Sequence, residues 1–562
     1  MSAIAGVYQA DGSPVDPELL ERMRDIVDYR GPDGSGVWVN GKVGLSHRLL
    51  WTTEESVHEK QPLTNGRGLW ITADCRIDNR EELKREFESR GIWSEIQKLF
   101  NPFLPPDSAY ILFSYQLWGE DSPNHLLGDF AFAIWDGRRQ TLFCGRDPVG
   151  IKSFHYHWNG KKLLFGSEIK QIFQDSTVSE ELDLPYFGNI LLKDFLEREE
   201  TPFQVIKRLA PGHLLTIRDS GFQIKQYWTW NPDQETLSRA SLAENAEIYR
   251  FLLQSAVKAR LRRPPGLRAG SLLSGGLDSS SIVSLAAHEI PRFPVFTLYF
   301  PEANPAYQLR GKDWADESLY VNSLLEKYEL EPHRIEIKGW GPLKDFEKTL
   351  WHQETVPFYP NLAYFQHLFQ QAKNSNTRIL LHGEGGGENF SIGPSLLSEE
   401  LKGGHWLEVY QEWAARRRMK GGTYFEFLLF VCRTFLPEWV KIPYRSLFGR
   451  KVIPRWINPA FAKRFSLKKL AKNTFSWDDF RQSASYGIHV WLKVGGGGQL
   501  PGSGRPLRPV GFDRDSVSLF RSSAPSFFRL ASLESKGSRR SQKNNPTGGL
   551  KRFSPAGYSK PS

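Results

Sequence analysis

The stretch Ser274-Gly275-Gly276-Leu277-Asp278-Ser279-Ser280 constrains this chain more than any other. It follows an apolar run, Ser271–Leu273, and precedes a helix-like segment that begins at Ser281. Glycines let a backbone approach a phosphate closely, and the N–H groups at a helix start favour negative charge. Serine hydroxyls at 274 and 279–281 would add donors. The pattern therefore predicts an anion-binding turn between a strand and a helix.

Asp278 defines the kind of anion. A carboxylate repels a bare phosphate, but beside a polyphosphate it can hold Mg²⁺. The turn therefore indicates the pyrophosphate of ATP with its metal, held by residues 274–280 with Asp278 as the metal ligand. The spacing differs from that of the P-loop and of the Gly-x-Gly-x-x-Gly fingerprint. An ordinary Gly-Ser turn with a capping Asp remains the alternative at this point.

Composition limits the compartment and the partners. The 562 residues are enough for two to four domains, and no apolar run reaches the ~20 residues that span a bilayer. Three cysteines give no disulfide framework and no metal-site spacing, which favours a reducing, cytoplasmic location. The net charge of +10 arises from the last 72 residues, which hold 13 basic against three acidic residues and leave 60 of each sign in the first 490. We expect neither a nucleic-acid nor a membrane partner.

The chain changes character near residue 240. Residues 1 to about 230 read as short strands with a few helices, at Pro17–Asp28, Arg80–Arg90 and Asp107–Leu117. A polar segment at 231–236 reads as a linker. Strands and helices then alternate, which predicts a parallel sheet with ligands at the carboxyl ends of its strands. The predicted elements are strands at 271–273, 294–300, 334–338 and 378–382 and helices at 279–289, 316–328 and about 361–373.

Many ordered motifs resemble the asparagine synthetase family over residues 1 to about 490. They are Arg30-Gly31-Pro32-Asp33, His47-Arg48-Leu49, Gln61-Pro62, Gly128-Asp129-Phe130-Ala131, Arg146-Asp147 with Gly150, Ser167-Glu168-Ile169-Lys170, Ser274–Ser280, Asp316-Glu317 and Gly383–Glu388. The resemblance implies an α+β N-terminal-nucleophile-like sandwich domain (1–230, glutaminase-like) followed by an α/β ATP-pyrophosphatase domain (241–490, adenine nucleotide alpha hydrolase-like). It also implies ATP and Mg²⁺ as cofactors.

The glutaminase motifs are altered. In the family, a cysteine freed at the N-terminus is nucleophile and base, whereas this chain has Ser2, and a hydroxyl is far less ionised than a thiol near pH 7. Relatives that hydrolyse glutamine grip it with Asn-Gly-Glu, but the aligned residues here are Asp74-Cys75-Arg76, with the charge reversed. We therefore expect no glutamine hydrolysis, a structural role for this half, and no assignable catalytic nucleophile.

Relatives that have lost the glutaminase use an amine other than ammonia. They include β-lactam synthetases and the macrolactam-forming cyclases of lasso peptides, and residues 74–83 look most like the cyclases. In all of them ATP adenylates a carboxylate, pyrophosphate leaves, and an amine attacks. Asp316 and Glu317 are candidates for the acyl or nucleotide site, although an acidic helix start explains them equally well. The resemblance implies a small-molecule or peptide substrate, with a precursor peptide, leader-processing partners and a homo-oligomer as further partners.

The second glycine-rich segment departs from the family pattern. Relatives end it with an Asp that shares Mg²⁺ with the first loop, whereas this chain has Gly387 followed by Glu388. Glu384 and Glu388 are the candidate substitutes. One carboxylate with phosphate oxygens and water can still bind Mg²⁺. We expect activity to be weakened or abolished.

The chain also departs from its relatives after Lys493. Residues 491–562 are rich in Gly, Ser, Pro and Arg and are predicted to be disordered. The C-terminal segments of relatives, including an Ile-Leu-Pro-Glu sequence, are absent there. A natural basic tail and a reading-frame shift both remain open. We prefer the frameshift because codons for residues 543–550 can be chosen that encode Ile-Leu-Pro-Glu one base later.

Three functions remain after these comparisons of motif and departure. The leading hypothesis is an ATP-dependent, AMP-forming amide ligase, most simply a peptide macrolactam cyclase. An asparagine synthetase that uses ammonia is the near alternative. A catalytically inactive scaffold, or the product of a decayed gene, is the alternative from another class.

Overall fold

The structure is a computed structural model that describes residues 1–191, 199–218, 221–229, 241–299, 317–337, 345–355, 362–383, 394–420, 423–435, 457–464 and 467. The predicted linker at 231–236 and the predicted disordered tail at 491–562 lie outside the described residues. Among those described, no helix has both the length and the apolar character needed to cross a bilayer.

The N-terminal half is a sandwich of two antiparallel sheets. Its strands are β1 (Ala3–Gln9), β2 (Gly34–Asn40), β3 (Val43–Leu49), β4 (Leu63–Thr64), β5 (Leu69–Ile77), β6 (Gly128–Asp136), β7 (Thr141–Arg146), β8 (His155–Trp158), β9 (Lys162–Gly166), β10 (Lys207–Arg208), β11 (His213–Arg218) and β12 (Gly221–Gln226). Within the described residues, one sheet has the order β10-β8-β9-β1-β3-β2 and the other β12-β11-β7-β6-β5-β4.

Helices cover both outer faces of the sandwich. They are α1 (Pro17–Asp25), α2 (Arg80–Ser89), α3 (Trp93–Phe100), α4 (Asp107–Trp118), α5 (Ile169–Ile172) and α6 (Leu184–Leu191), with 3-10 turns at Glu55–His58 and Gly119–His125. Helices α2, α3 and α4 pack on the second sheet, and α1 and α5 pack on the first. The result is the four-layer α+β sandwich that the sequence predicts.

Strand β6 shows why the sandwich forms. All nine of its residues are buried, and successive side chains point to opposite faces. Phe130 and Phe132 pack against the helices, whereas Ala131, Ala133 and Trp135 pack between the two sheets. A strand that is apolar on both faces must be covered twice, and the layer order supplies both covers.

The C-terminal half contains a parallel sheet. Its described strands are β13 (Arg268–Leu272), β14 (Phe293–Tyr299), β15 (Leu330–Glu336) and β16 (Thr377–Leu381), in the order β15-β14-β13-β16. Its described helices are α7 (Leu242–Arg260), α8 (Leu277–Glu289), α9 (Ser318–Lys327), α10 (Phe346–Gln353), α11 (Leu362–Asn374), α12 (Pro394–Lys402), α13 (Trp406–Lys420), α14 (Tyr424–Phe435) and α15 (Pro459–Arg464). Helices α7, α8 and α9 cover one face, and α11 covers the other. This confirms the predicted parallel α/β domain.

Buried charges join the two halves near the end of α7. Arg260 contacts Asp78 (Nη2 to Oδ2, 2.8 Å) and makes a two-armed ion pair with Asp129. Arg262 donates to Asp107 (3.0 Å) and to the carbonyl of Ile77 (2.7 Å). The chain that enters β13 is therefore fixed to the sandwich by guanidinium groups.

A second joint lies on the other side of the sandwich. The Glu354 carboxylate accepts the backbone N–H groups of Ile169 and Lys170, each at 2.7 Å, and the Lys170 ammonium lies 3.1 Å away. Arg378 donates to Asp33 at 2.8 Å. The sandwich thus contacts the synthetase-like half through segments on both sides of the parallel sheet.

Some predicted boundaries were wrong. Strand β15 begins at Leu330 rather than at 334, because it lies at the sheet edge, where Pro332 is tolerated without its N–H. Helix α8 begins at Leu277, two residues earlier than predicted. Strand β3 and helix α3 are not predicted at all. Gly44, Ser46 and His47 break the apolar alternation of β3, yet the strand is central and almost wholly buried.

Candidate functional site

The seven-residue turn lies at the carboxyl end of a central strand. Strand β13 pairs in parallel with β14 and with β16, and the turn follows it directly. Leu273 is buried and its N–H donates to the Phe296 carbonyl (2.9 Å), which fixes where the strand ends. Gly276 is the N-cap of α8, so the turn opens at the positive end of a helix.

Serine side chains hold the turn together from inside. The Ser279 hydroxyl donates to the Ser274 carbonyl at 2.9 Å and accepts the Ser274 N–H at 3.2 Å. The Ser281 hydroxyl donates to the Leu277 carbonyl at 2.7 Å. These two hydroxyls bond within the turn and helix rather than pointing outward as the sequence suggests. The donors that remain for an anion are therefore chiefly backbone N–H groups.

The outer side of the turn faces solvent. Gly276, Leu277 and Asp278 are exposed, with Leu277 at 86%. The first N–H groups of a helix have no acceptor within the helix, so those of Leu277 and Asp278 are suited to an external anion. The exposed carboxylate of Asp278 lies in the same first turn and is suited to a cation that accompanies that anion.

Two neighbouring segments approach the turn closely. A β-carbon at Gly383, just after β16, would lie 2.7 Å from the Ser279 nitrogen and 2.8 Å from the Asp278 β-carbon. A β-carbon at Gly275 would lie 2.6 Å from that of Tyr320. Only glycine fits these contacts without a shift of the backbone.

Glu317 is the candidate acidic residue that lies at the turn. It is exposed at the start of α9, and its carboxylate accepts the Gly275 N–H at 3.2 Å. Asp316, Glu384, Gly387 and Glu388 lie outside the described residues. The structure thus brings the turn, Glu317 and Gly383 together.

Ser2 lies inside the sandwich at the start of β1 and is 7% exposed. Its hydroxyl accepts the Leu50 N–H at 3.0 Å, and its carbonyl accepts Nε of Arg30 at 3.1 Å. Beside it is a cavity of about 20 Å³, which has room for about one water molecule. Its lining includes Ser2, Glu59, Asp74, Cys75 and Asp107. The space is far too small for an amino acid.

The residues aligned with the glutamine-gripping segment have other partners. Asp74 binds Lys152 at 2.8 Å and lies 3.6 Å from Arg30, all three buried. Burial alone would raise the pKa of Asp74, but Lys152 and Arg30 hold it below its usual value. Burial raises the pKa of the Cys75 thiol well above its usual value, so this thiol is not an activated nucleophile. Arg76 is fully buried and donates to the carbonyls of Ala259 and Arg262.

Glu59 is the titratable group of this cavity. Burial is the main cause that raises its pKa to about 7, and the nearby Asp107 and Glu55 carboxylates add to it. The Ser108 hydroxyl and the Gln61 amide (2.8 Å) donate to Glu59 and only partly offset this effect. Glu59 therefore takes up a proton on folding near neutral pH.

We expect wild-type stability to fall as pH rises through the Glu59 titration. The unfolded pKa is near 4.5 and the folded pKa about 7, so the folded state holds the extra proton between these values. Relative to wild type, Glu59→Gln should gain about 2–3 kcal/mol in free energy of unfolding between pH 5 and pH 8. Urea unfolding at both pH values measures this. The exposed Glu86→Gln should show no such pH dependence, and equal behaviour of the two variants would contradict the expectation.

Two family models match the chain. Residues 1–228 match the model described as glutamine amidotransferase domain, and residues 249–492 match the one described as asparagine synthase. Asparagine synthetase (glutamine-hydrolyzing) 3 of Bacillus subtilis is 30% identical over 62% of this chain and 55% of its own length. Asparagine synthetase (glutamine-hydrolyzing) 1 of the same organism is 27% identical over 85% of this chain and 72% of its own length. The match thus spans about half the length of the first of these relatives.

Proposed function

Because the chain belongs to the asparagine synthetase family, we propose that it is an ATP-dependent amide ligase that does not hydrolyse glutamine. The turn at residues 274–280 carries the proposal. It ends a central strand of a parallel sheet, begins a helix, and presents both free N–H groups and the Asp278 carboxylate to solvent. These features suit the pyrophosphate of a nucleotide and its metal.

The proposed reaction has two steps. A substrate carboxylate oxygen attacks the α-phosphorus of ATP, the bond to the β-phosphate oxygen breaks, and pyrophosphate leaves. An amine then attacks the acyl carbon, loses a proton and releases AMP. The first-turn N–H groups of α8 would hold the pyrophosphate as its negative charge increases. Such fixed donors need no rearrangement during the reaction.

Asp278 would hold Mg²⁺ together with phosphate oxygens. Its exposed carboxylate on the first turn of α8 fits a metal that retains several waters. Bound Mg²⁺ would neutralise phosphate charge. Among the described residues, no group of three or more His, Cys, Asp or Glu could by itself hold a metal ion. The nucleotide would therefore supply most of the coordination, and the contributions of Glu384 and Glu388 remain predictions.

The altered glutamine pocket supports an amine that does not come from glutamine. The hydroxyl of Ser2 accepts a backbone N–H, and the cavity beside it has room for about one water molecule. Asp74 is held by Lys152 and Arg30 rather than being free to bind an amino acid. Both the nucleophile and the space for glutamine are therefore missing.

Restoring the thiol separates these two defects. We expect neither wild type nor Ser2→Cys to release glutamate from glutamine above background, because a thiol does not reopen the cavity. Glutamate release by Ser2→Cys alone would mean that the pocket is intact and only the nucleophile is lost. Release by wild type would contradict the proposal. Unfolding in urea is the control that the variant is folded.

The identity of the amine is the finer part of the proposal. We favour a peptide macrolactam, on the resemblance of residues 74–83 to lasso-peptide cyclases. Pyrophosphate release with a precursor peptide would support it, whereas release with aspartate and ammonium would favour an ammonia-using asparagine synthetase. The altered segment at Gly387 favours an inactive scaffold, and undetectable ATP binding at excess Mg²⁺ would decide for it.

A further inference from the structure

The Arg76 guanidinium extends from the sandwich into the other half of the molecule. Arg76 lies on β5 and is fully buried. Its Nη2 donates to the carbonyls of Ala259 at 2.9 Å and of Arg262 at 3.0 Å, and its Nη1 donates to the Thr52 carbonyl at 3.3 Å. The side chain thus connects β5 to the segment that joins α7 to β13.

The two acceptors lie at the carboxyl end of α7. The last carbonyls of a helix have no N–H partner within it, and the helix dipole makes this end negative. A guanidinium group satisfies such carbonyls and balances their charge. Arg76 therefore caps a nineteen-residue helix from a different domain.

Carbonyl oxygens, rather than a hydrogen-bonded carboxylate, hold this buried charge. Burial and the neighbouring guanidinium groups of Arg262 and Arg260 lower the pKa of Arg76 to about 9. Nε of Arg76 is buried without a hydrogen-bond partner. A buried charge that is held in this way contributes little net stability, but it specifies one geometry for the groups around it.

Helix α7 packs directly on the helix that begins with the nucleotide turn. Leu253 and Val257 of α7 belong to the same buried cluster as Ile282, Val283 and Ala286 of α8. The first turn of α8 carries Asp278. Because packed interiors transmit displacement, a shift at the end of α7 will move α8 and the turn.

We propose that Arg76 is a positioning residue for the nucleotide turn. By capping α7 across the domain boundary it holds α7, and through α7 the start of α8, in the arrangement that binds phosphate. The residue aligned with part of the glutamine grip in relatives thus acts on the synthetase-like half. The ligand of the turn rests on the proposed function, whereas the capping contact and its effect on α8 do not.

Hydrogen exchange of the ligand-free protein tests this directly. We expect Arg76→Met to raise amide exchange at least about tenfold at 257–262 and in the first two turns of α8, since freed carbonyls let the end of α7 move. Exchange in α1, on the far face of the sandwich, should not change. Arg76→Lys, which keeps the charge and donors on a shorter stem, should recover part of the protection.

Mg–ATP affinity provides the functional measurement. We expect the Kd to rise about tenfold in Arg76→Met, less in Arg76→Lys, and not at all in Arg139→Met, an exposed matched control. Unchanged exchange in α8, or an equal rise in α1, would overturn the positioning role. If Arg76→Met does not fold, the same comparison is made with Arg76→Lys. Failure of the wild type to bind ATP would contradict the proposed function alone, because the exchange measurement needs no nucleotide.

Discussion

We expect Gly383→Ala to bind Mg–ATP at least about tenfold more weakly than wild type. A β-carbon at this position would lie 2.7 Å from the Ser279 nitrogen and within 2.9 Å of Asp278 atoms. The obstructing atoms are backbone atoms of the turn and a β-carbon, so no flexible side-chain end can move aside. Displacement of the turn would misplace the N–H groups that face the phosphates, and a tenfold loss corresponds to about 1.4 kcal/mol.

Calorimetric titration with Mg–ATP measures this loss, and urea unfolding shows whether the variant is folded. Overpacking should cost about 1–3 kcal/mol of stability, which a folded variant can tolerate. Gly34→Ala is the control, because a β-carbon there meets only Leu49 side-chain atoms at 3.5 Å. Wild-type affinity in Gly383→Ala would mean that the turn is not the phosphate site.

We expect Arg260→Met to lose about 3–5 kcal/mol of free energy of unfolding. The Arg260 side chain is 2% exposed and neutralises both Asp78 and Asp129. Burial already raises the pKa of both carboxyl groups, even with Arg260 present. Without the guanidinium, two carboxylates would remain buried near each other, and they would have to take up protons or become hydrated.

Urea unfolding followed by both far-UV circular dichroism and tryptophan fluorescence measures the loss, since two domains can unfold in steps. Arg218→Met is the matched control. Its ion pair with Glu120 is nearly half exposed on each side and should contribute no more than about 1 kcal/mol. Adding Asp78→Asn and Asp129→Asn to Arg260→Met should recover part of the loss. A loss in Arg260→Met as small as in Arg218→Met would contradict the buried ion-pair interpretation.

The strand–turn–helix pattern made the parallel sheet and its nucleotide turn predictable, because each part of the pattern is local. Leu273, Gly275–Gly276 and the segment from Ser281 are adjacent in sequence, and adjacency fixes their geometry. The inward bonding of the Ser279 and Ser281 hydroxyls was missed. A serine near the start of a helix can satisfy its hydroxyl on a nearby carbonyl, and a motif does not show which choice it makes.

The contacts between the two halves could not be predicted, because no local pattern encodes them. Arg76 and Ala259 are 183 residues apart, and Ile169 and Glu354 are 185 apart. One signal was available: Arg76 reverses the charge expected at its position. Read alone, that signal indicates a lost substrate contact, and only the geometry shows that the guanidinium has a new partner across the domain boundary.

The products formed from ATP test the central claim most directly. Purified protein is incubated with Mg–ATP, a carboxylate substrate and an amine, and nucleotides, pyrophosphate and glutamate are quantified by chromatography. We expect AMP and pyrophosphate in equal amounts, dependent on both carboxylate and Asp278, with no glutamate when glutamine is the only nitrogen source. ADP with inorganic phosphate, or glutamate released in step with AMP, would contradict a pyrophosphate-releasing ligase that works without glutamine.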